Sequence, residues 1–136
     1  MVLLLAWPGA VRAAEPIVDQ NVRFYYDLGA AELDVSSYPD AQQAGYKTFA
    51  KVCSQCHTLA RPINAPLVKE ADWRRFVKRM HLRTASSAKA KLSPEQAKVI
   101  VSFLTFDADL RKVQHKAAFD AGTEKLKQGF KAYQAD

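Results

Sequence analysis

The sequence predicts a small all-α domain, and three observations point to that class. The chain has 136 residues, which fits one domain, and its six prolines and five glycines are too few for a turn-dense sheet design. Apolar residues recur at helical spacing, most clearly at Trp73, Phe76, Val77 and Met80. No segment shows strand-like alternation of apolar and polar residues. With 49% hydrophobic and 25% charged residues, wholesale disorder and a multi-span membrane protein are both excluded.

The first 14 residues are apolar apart from Arg12 and end in small residues. An apolar run of this length is too short to cross a bilayer, which needs about 20 residues. Such a run is typical of an export leader, although no Lys or Arg precedes it. We predict a signal peptide or signal-like leader over residues 1–14, with a buried N-terminal helix as the alternative. The mature protein is then periplasmic and has no membrane span.

Residues 15–40 form an acidic arm, with six acidic residues against one basic residue. Prolines, a glycine and serines interrupt any periodicity, so we expect an extended conformation. Four side chains of the arm are too apolar for a free linker, namely Phe24, Tyr25, Tyr26 and Leu28. We therefore expect the arm to lie back on the domain or on a partner.

Capping signals and periodicity place the first two helices. The first begins after Pro39, with Asp40 as its N-cap, and runs to Cys53. The second spans about residues 71–81, where a row of basic side chains lies opposite the apolar stripe. Both helices belong to a predicted domain over residues 41–106.

The third helix begins at Ser93-Pro94-Glu95-Gln96. This segment combines a serine cap, a proline at the first helical position and a glutamine at the reciprocal capping position. The helical pattern continues into a C-terminal extension over residues 107–136. Gly122 and Gly129 argue against one unbroken helix to the C-terminus, because glycine is a poor helix former.

Both cysteines lie in one motif, Cys53-Ser54-Gln55-Cys56-His57, which has the spacing of haem c attachment. One turn of backbone places the two cysteine sulfurs where they can add to the two vinyl groups of a haem. The histidine that follows then points its imidazole at the haem iron. A thioredoxin-like pair would need a preceding strand, and a zinc site would need more ligands than this chain readily supplies. We predict one haem c held covalently through Cys53 and Cys56, with His57 as an iron ligand.

On this motif the chain resembles the class I c-type cytochromes, over residues 41–106. Gly45 and Phe49, eight and four residues before Cys53, match the positions where the family's N-terminal helix meets its C-terminal helix. The resemblance implies a class I cytochrome c fold of three to five helices around one haem. It also implies a contact face on the third helix, made by Ile100, Phe103 and Leu104.

The same resemblance implies roles for two further residues near the haem. The segment around Pro66 is similar to the family's proline segment, whose backbone carbonyl accepts a hydrogen bond from the proximal imidazole; Pro62 is the alternative. Trp73 would donate its indole N–H to a haem propionate or would simply belong to the core.

The second axial ligand is assigned to Met80, the only methionine besides Met1. The segment from Trp73 to Met80, followed by Leu92-Ser93-Pro94-Glu95, resembles short cytochrome subunits of periplasmic dehydrogenases, in which this methionine faces the iron. The alternatives are a methionine that only fills the core, ligation by His81, and an open site. His81 lies about 100° around the helix from Met80, toward the polar side.

A haem with two protein ligands has no vacant position for a substrate, which leaves transfer of one electron. We predict a periplasmic electron carrier, not an enzyme, whose net charge of +6 favours redox partners with an acidic docking surface. Nucleic acid is not an expected partner of an exported protein. The basic residues that would flank the haem, unless they only solvate a helix face, are Lys69, Arg74, Arg75, Lys78, Arg79 and Arg83.

Two other functions stay open. One is a fixed subunit of a larger oxidoreductase or photosynthetic complex, membrane-associated or periplasmic, which the apolar side chains of the arm and the C-terminal extension favour. The other is a gas-binding or peroxidase-like haem protein with an open distal side.

Overall fold

The computed structural model of the protein describes residues 22–86 and 91–135. The predicted leader over residues 1–14 and the beginning of the acidic arm lie outside the described residues. Within the described residues the chain is helical and contains no β-strand, which confirms the all-α prediction. None of these described helices has the length and apolarity needed to cross a membrane.

Five α-helices follow a short 3₁₀ helix at Tyr25–Leu28. Helix α1 spans Asp40–Cys53, α2 spans Ala60–Asn64, α3 spans Glu70–Thr84, α4 spans Pro94–Ala108 and α5 spans Lys116–Ala135. A π-helical segment at Asp109–Gln114 joins α4 to α5.

Local capping signals are confirmed at α4 and corrected at α1. The Ser93 hydroxyl accepts from the Gln96 backbone N–H at 3.1 Å, and the Gln96 side chain accepts from the Ser93 N–H at 2.9 Å. At α1 the predicted cap is wrong by one residue, because Pro39 holds the N-cap position and Asp40 is the first helical residue. The carboxylate of Asp40 still lies in the first turn, where the helix dipole favours negative charge.

The C-terminal extension corrects a second prediction, because Gly122 and Gly129 both lie inside the unbroken α5. A glycine inside a helix costs about 1 kcal/mol, which tertiary packing readily outweighs. Here α5 packs on the 3₁₀ helix of the arm, and Gly129 faces the Leu28 side chain. Helix α2 was not predicted, since five residues are too few to show a helical period.

The contact between α1 and α4 is the most extensive among the described elements. Gly45 is buried against Phe103, and a Cβ atom at Gly45 would lie 2.9 Å from the Phe103 Cβ and 3.5 Å from the Val99 carbonyl oxygen. Phe49 is fully buried, with its ring centroid 5.5 Å from that of Phe103. The predicted contact of Gly45 and Phe49 with the face of the third helix is therefore confirmed.

Replacing Gly45 with alanine is expected to destabilise the protein by about 1–3 kcal/mol, because the added methyl group overpacks the helix contact. The matched control is Gly122→Ala, where a Cβ atom would meet nothing within 4 Å. That control should stabilise α5 by about 0.5–1 kcal/mol. Urea unfolding followed by circular dichroism measures both changes, and a neutral or stabilising Gly45→Ala would contradict the close approach.

The described part of the arm lies back on the domain, which is one of the two expected outcomes. The Asp27 carboxylate accepts from Arg61 Nε at 2.7 Å and from Arg61 Nη2 at 2.9 Å. The Leu33 backbone N–H donates to the Tyr46 hydroxyl at 3.1 Å. The 3₁₀ helix packs on α2 and α5. The arm and the C-terminal extension are therefore partners within one chain.

Candidate haem site

The cysteine motif lies at the C-terminal end of α1. Cys53 is the last residue of the helix, the next three residues form a turn, and the chain bends at His57. Cys53 and His57 are half-buried, whereas Cys56 is exposed. The contact of α1 with α4 therefore fixes the element that presents the motif.

The electrostatics of Cys53 do not fit a dithiol redox pair. Burial, aided by the neighbouring Cys56, raises the pKa of the Cys53 thiol to about 12. Reactive CxxC cysteines have a lowered pKa, commonly at the N-terminus of a helix, whereas Cys53 lies at a helix C-terminus. The described residues also contain no strand before the motif, so the thioredoxin-like alternative gains no support.

The zinc alternative gains no support from the arrangement of side chains. Within residues 22–86 and 91–135, no three Cys, His, Asp or Glu residues are grouped closely enough to hold a metal ion. Cys53, Cys56 and His57 are thus adjacent in sequence without converging on one point.

His57 is positioned by a neighbouring carbonyl group. Its Nδ1 atom lies 2.7 Å from the carbonyl oxygen of Thr58. A histidine whose Nδ1–H donates to a backbone carbonyl presents Nε2 to a metal. The role that the resemblance implies for the Pro66 segment is thus filled in this structure by Thr58.

The segment around Pro66 has other partners. Pro66 is exposed, and the carbonyl oxygens of Ala65 and Leu67 accept from Lys112 Nζ at 2.6 and 3.4 Å. Pro62, the alternative residue for the same role, is buried within α2. A contact between Pro66 and a haem stays a prediction.

Trp73 is one of two described residues, with Thr105, whose side chain has a buried polar atom without a hydrogen-bond partner. Its side chain is fully buried, and its indole Nε1 has no hydrogen-bond partner in the described part of the chain. Leaving a buried N–H group unsatisfied costs about 1–3 kcal/mol, so this site is suited to an acceptor from a ligand. A haem propionate is such an acceptor. The two thiols, the oriented imidazole and this indole are each of a chemical type that can hold haem c.

The two candidates for the second axial ligand differ in their surroundings. Met80 is half-buried and shares the inward side of α3 with the buried Trp73 and Val77. His81 is exposed, and its Nδ1 atom lies 3.0 Å from the carbonyl oxygen of Leu92. The structure thus turns His81 toward the start of α4, and ligation by Met80 stays the prediction.

The basic face of α3 is partly neutralised. Arg74 pairs with Glu70 at 2.5 Å and Arg75 pairs with Asp72 at 3.0 Å, all on the surface. Arg74 and Lys78 also line an open cavity of about 790 Å³ between α3 and α4. None of the motif residues lines this cavity.

A buried ionic network around Asp107 was not predicted from the sequence. The Asp107 carboxylate accepts from Arg111 Nε at 2.7 Å, from Arg111 Nη2 at 2.6 Å and from the Tyr38 hydroxyl at 2.8 Å. Arg111 Nη2 also donates to the Ile63 carbonyl oxygen at 2.8 Å. The i,i+4 spacing of Asp107 and Arg111 was visible in the sequence, but it also suits an ordinary surface pair.

Lys112, the next residue, is 5% exposed. Its Nζ atom lies 5.1 Å from the centroid of the Trp73 ring and 5.5 Å from that of Phe119. Burial lowers the pKa of Lys112 to about 7, with a further contribution from the positive charge of Arg111 and an opposing one from Asp107. The amine thus changes charge near neutral pH in the folded protein.

The lowered pKa of Lys112 predicts that the protein becomes more stable as the pH rises from about 7 to 9. The unfolded chain holds the proton up to the ordinary lysine pKa of 10.5, so it binds more protons than the folded chain in this range. The expected gain in the free energy of unfolding is about 2 kcal/mol. Urea unfolding at several pH values measures it, and Lys112→Met should remove the gain. If the free energy of unfolding rose equally with pH in the wild type and in Lys112→Met, the burial of a charged amine at Lys112 would be contradicted.

Comparison with protein-family models, with curated proteins and with solved structures finds no match for this chain. A functional assignment therefore depends on the motif and on the geometry of the described residues.

Proposed function

We propose that the protein is a periplasmic monohaem c-type cytochrome that transfers single electrons between redox partners. The observation that carries the proposal is the position of Cys53-x-x-Cys56-His57 directly at the end of α1. The close approach of Gly45 to Phe103, which the class I resemblance implied, supports it independently. The all-α fold is compatible with that class.

Each residue of the site has a distinct task. Haem c supplies one-electron chemistry when it is bound. Cys53 and Cys56 would hold it through thioether bonds, and His57 would supply an imidazole ligand to the iron. Met80 would supply a thioether ligand that favours ferrous iron, and Trp73 would donate its indole N–H to a propionate.

The basic surface suits an acidic redox partner. Arg79 and Lys78 are exposed on α3, and neither has a carboxylate partner among the described residues. Such charges accelerate encounter with a partner of opposite charge, in a way that salt weakens.

A fixed subunit of a larger complex is the second candidate function. Three apolar side chains of the arm and the C-terminal region are about half exposed, namely Phe24 at 44%, Val113 at 52% and Tyr133 at 48%. However, the 3₁₀ helix of the arm already packs on α5, so these segments have partners within the chain. Gel filtration of the native extract separates the two: a single-chain mass supports the carrier, and a larger mass supports the subunit.

Carbon monoxide tests the carrier against a gas-binding or peroxidase-like protein. The reduced, haem-loaded chain is expected to keep its absorption spectrum under carbon monoxide, because His57 and Met80 would leave the iron no free position. A spectrum that changes without denaturant would instead show an open distal side and would reject the carrier.

A further inference from the structure

Lys112 is a buried amine that the proposed function does not use. Its Nζ atom is enclosed by two backbone carbonyl oxygens, at Ala65 and Leu67, and by the rings of Trp73 and Phe119. No carboxylate of the described chain forms an ion pair with it. Burying a charge without a counter-ion costs free energy. The folded protein therefore favours the neutral form of this amine more than water does.

The nearest carboxylate is already occupied. Both oxygens of Asp107 accept hydrogen bonds from Arg111, and one of them also accepts from Tyr38. Asp107 therefore neutralises Arg111 and leaves Lys112 without a counter-ion of its own. The π-helical segment carries Arg111 and Lys112 side by side, and such segments are frequent at functional sites.

Lys112 also contacts Trp73, one residue of the proposed haem site. It lies over Trp73, whose unpartnered indole N–H fits a propionate, and it holds the carbonyl groups on both sides of Pro66. A charge on this amine acts through a buried, weakly screening interior. It therefore favours the arrival of an electron at the iron.

We propose that Lys112 takes up a proton when the haem is reduced and releases it when the haem is oxidised, so that the protein transfers a proton together with an electron. The inference depends on the proposed function. In the reductive direction, one electron would pass from the redox donor to the haem, and a hydronium ion would give one proton to the lone pair of Nζ and leave water. Oxidation reverses both transfers, and by linkage the proton and the electron favour each other equally.

The other groups that face Lys112 do not change charge in the same range. The pair with Asp107 holds the pKa of Arg111 above its usual value in spite of burial. Burial and the Asp107 charge raise the pKa of Tyr38 to about 12. Trp73 and Phe119, from α3 and α5, carry no charge. His115, an exposed imidazole three residues after Lys112, is the matched control.

The test is the midpoint potential of the haem-loaded full chain, measured with redox mediators at several pH values from about 6 to 9. The wild-type potential should fall as the pH rises through neutrality. In Lys112→Met the midpoint potential should not change with pH and should equal the wild-type potential measured at high pH. In Lys112→Arg it should be flat and should match the wild type at low pH, because arginine stays charged. His115→Gln should keep the wild-type profile.

Two results would overturn the inference. One is a wild-type potential that does not change with pH, which needs no variant and so does not depend on the folding of Lys112→Met. The other is a wild-type slope that survives in Lys112→Met or disappears in His115→Gln. A chain that attaches no haem would instead reject the proposed function, so the two failures are distinguishable.

Discussion

Replacing Asp107 with alanine is expected to destabilise the protein by about 3–5 kcal/mol. The variant leaves the Arg111 guanidinium, 24% exposed, without its counter-ion, and it removes the acceptor of the Tyr38 hydroxyl. A buried charge that loses its partner pays the desolvation penalty without the compensating attraction. The measurement is urea unfolding at neutral pH.

The control for this prediction is Glu124→Ala, which removes the partner of Lys127 from an exposed pair on α5. Exposed pairs contribute at most about 1 kcal/mol, so that variant should be almost neutral. If Asp107→Ala lost no more stability than the control, the network would not be the structural centre that its hydrogen bonds indicate.

The network explains why the C-terminal extension belongs to the domain. Tyr38 comes from the arm, Asp107 from the end of α4, and Arg111 from the π-helical segment that follows it. Arg111 also reaches the carbonyl group of Ile63 in α2. The region beyond residue 106 is therefore joined to the arm and to the segment that follows the cysteine motif.

Replacing Met80 with alanine is expected to abolish the weak long-wavelength sulfur-to-iron charge-transfer band of the oxidised protein. The band requires a thioether on the iron, and no other methionine of the described chain can supply it. The variant should also bind carbon monoxide when reduced, since its distal position is open. The absorption spectra of wild type and variant measure both effects.

The matched control is His81→Gln, one residue farther along α3. The imidazole of His81 lies against the Leu92 carbonyl group, so its loss should leave the band unchanged. A wild-type protein without the band, or a band that survives in Met80→Ala, would move the assignment to His81 or to an open site.

Signals within a few residues predicted most of the helical framework. The start of α4 was evident because Ser93, Pro94 and Gln96 satisfy its first backbone N–H groups locally. The stripe of Trp73 and Val77 likewise predicted the buried side of α3. These features depend on residues three or four apart, which the sequence shows directly.

Features that depend on distant contacts escaped prediction. Lys112 lies in the sequence between Arg111 and Val113, where nothing distinguishes it from a surface lysine, yet Ala65 and Trp73 enclose it. Gly129 suggested a helix break because its packing on Leu28 of the arm was unknown. The acceptor of the His57 imidazole depends on the local bend of the chain, which the motif does not specify.

The central claim is that Cys53 and Cys56 are bonded to one haem c, and the intact mass of the purified chain tests it most directly. The protein would be produced in cells that attach haem c in the periplasm and then denatured before mass measurement. The expected mass is that of the polypeptide plus one haem, and that of the unmodified polypeptide for a variant that combines Cys53→Ser with Cys56→Ser. A wild-type chain that keeps two free thiols and no added mass would contradict haem attachment through these cysteines.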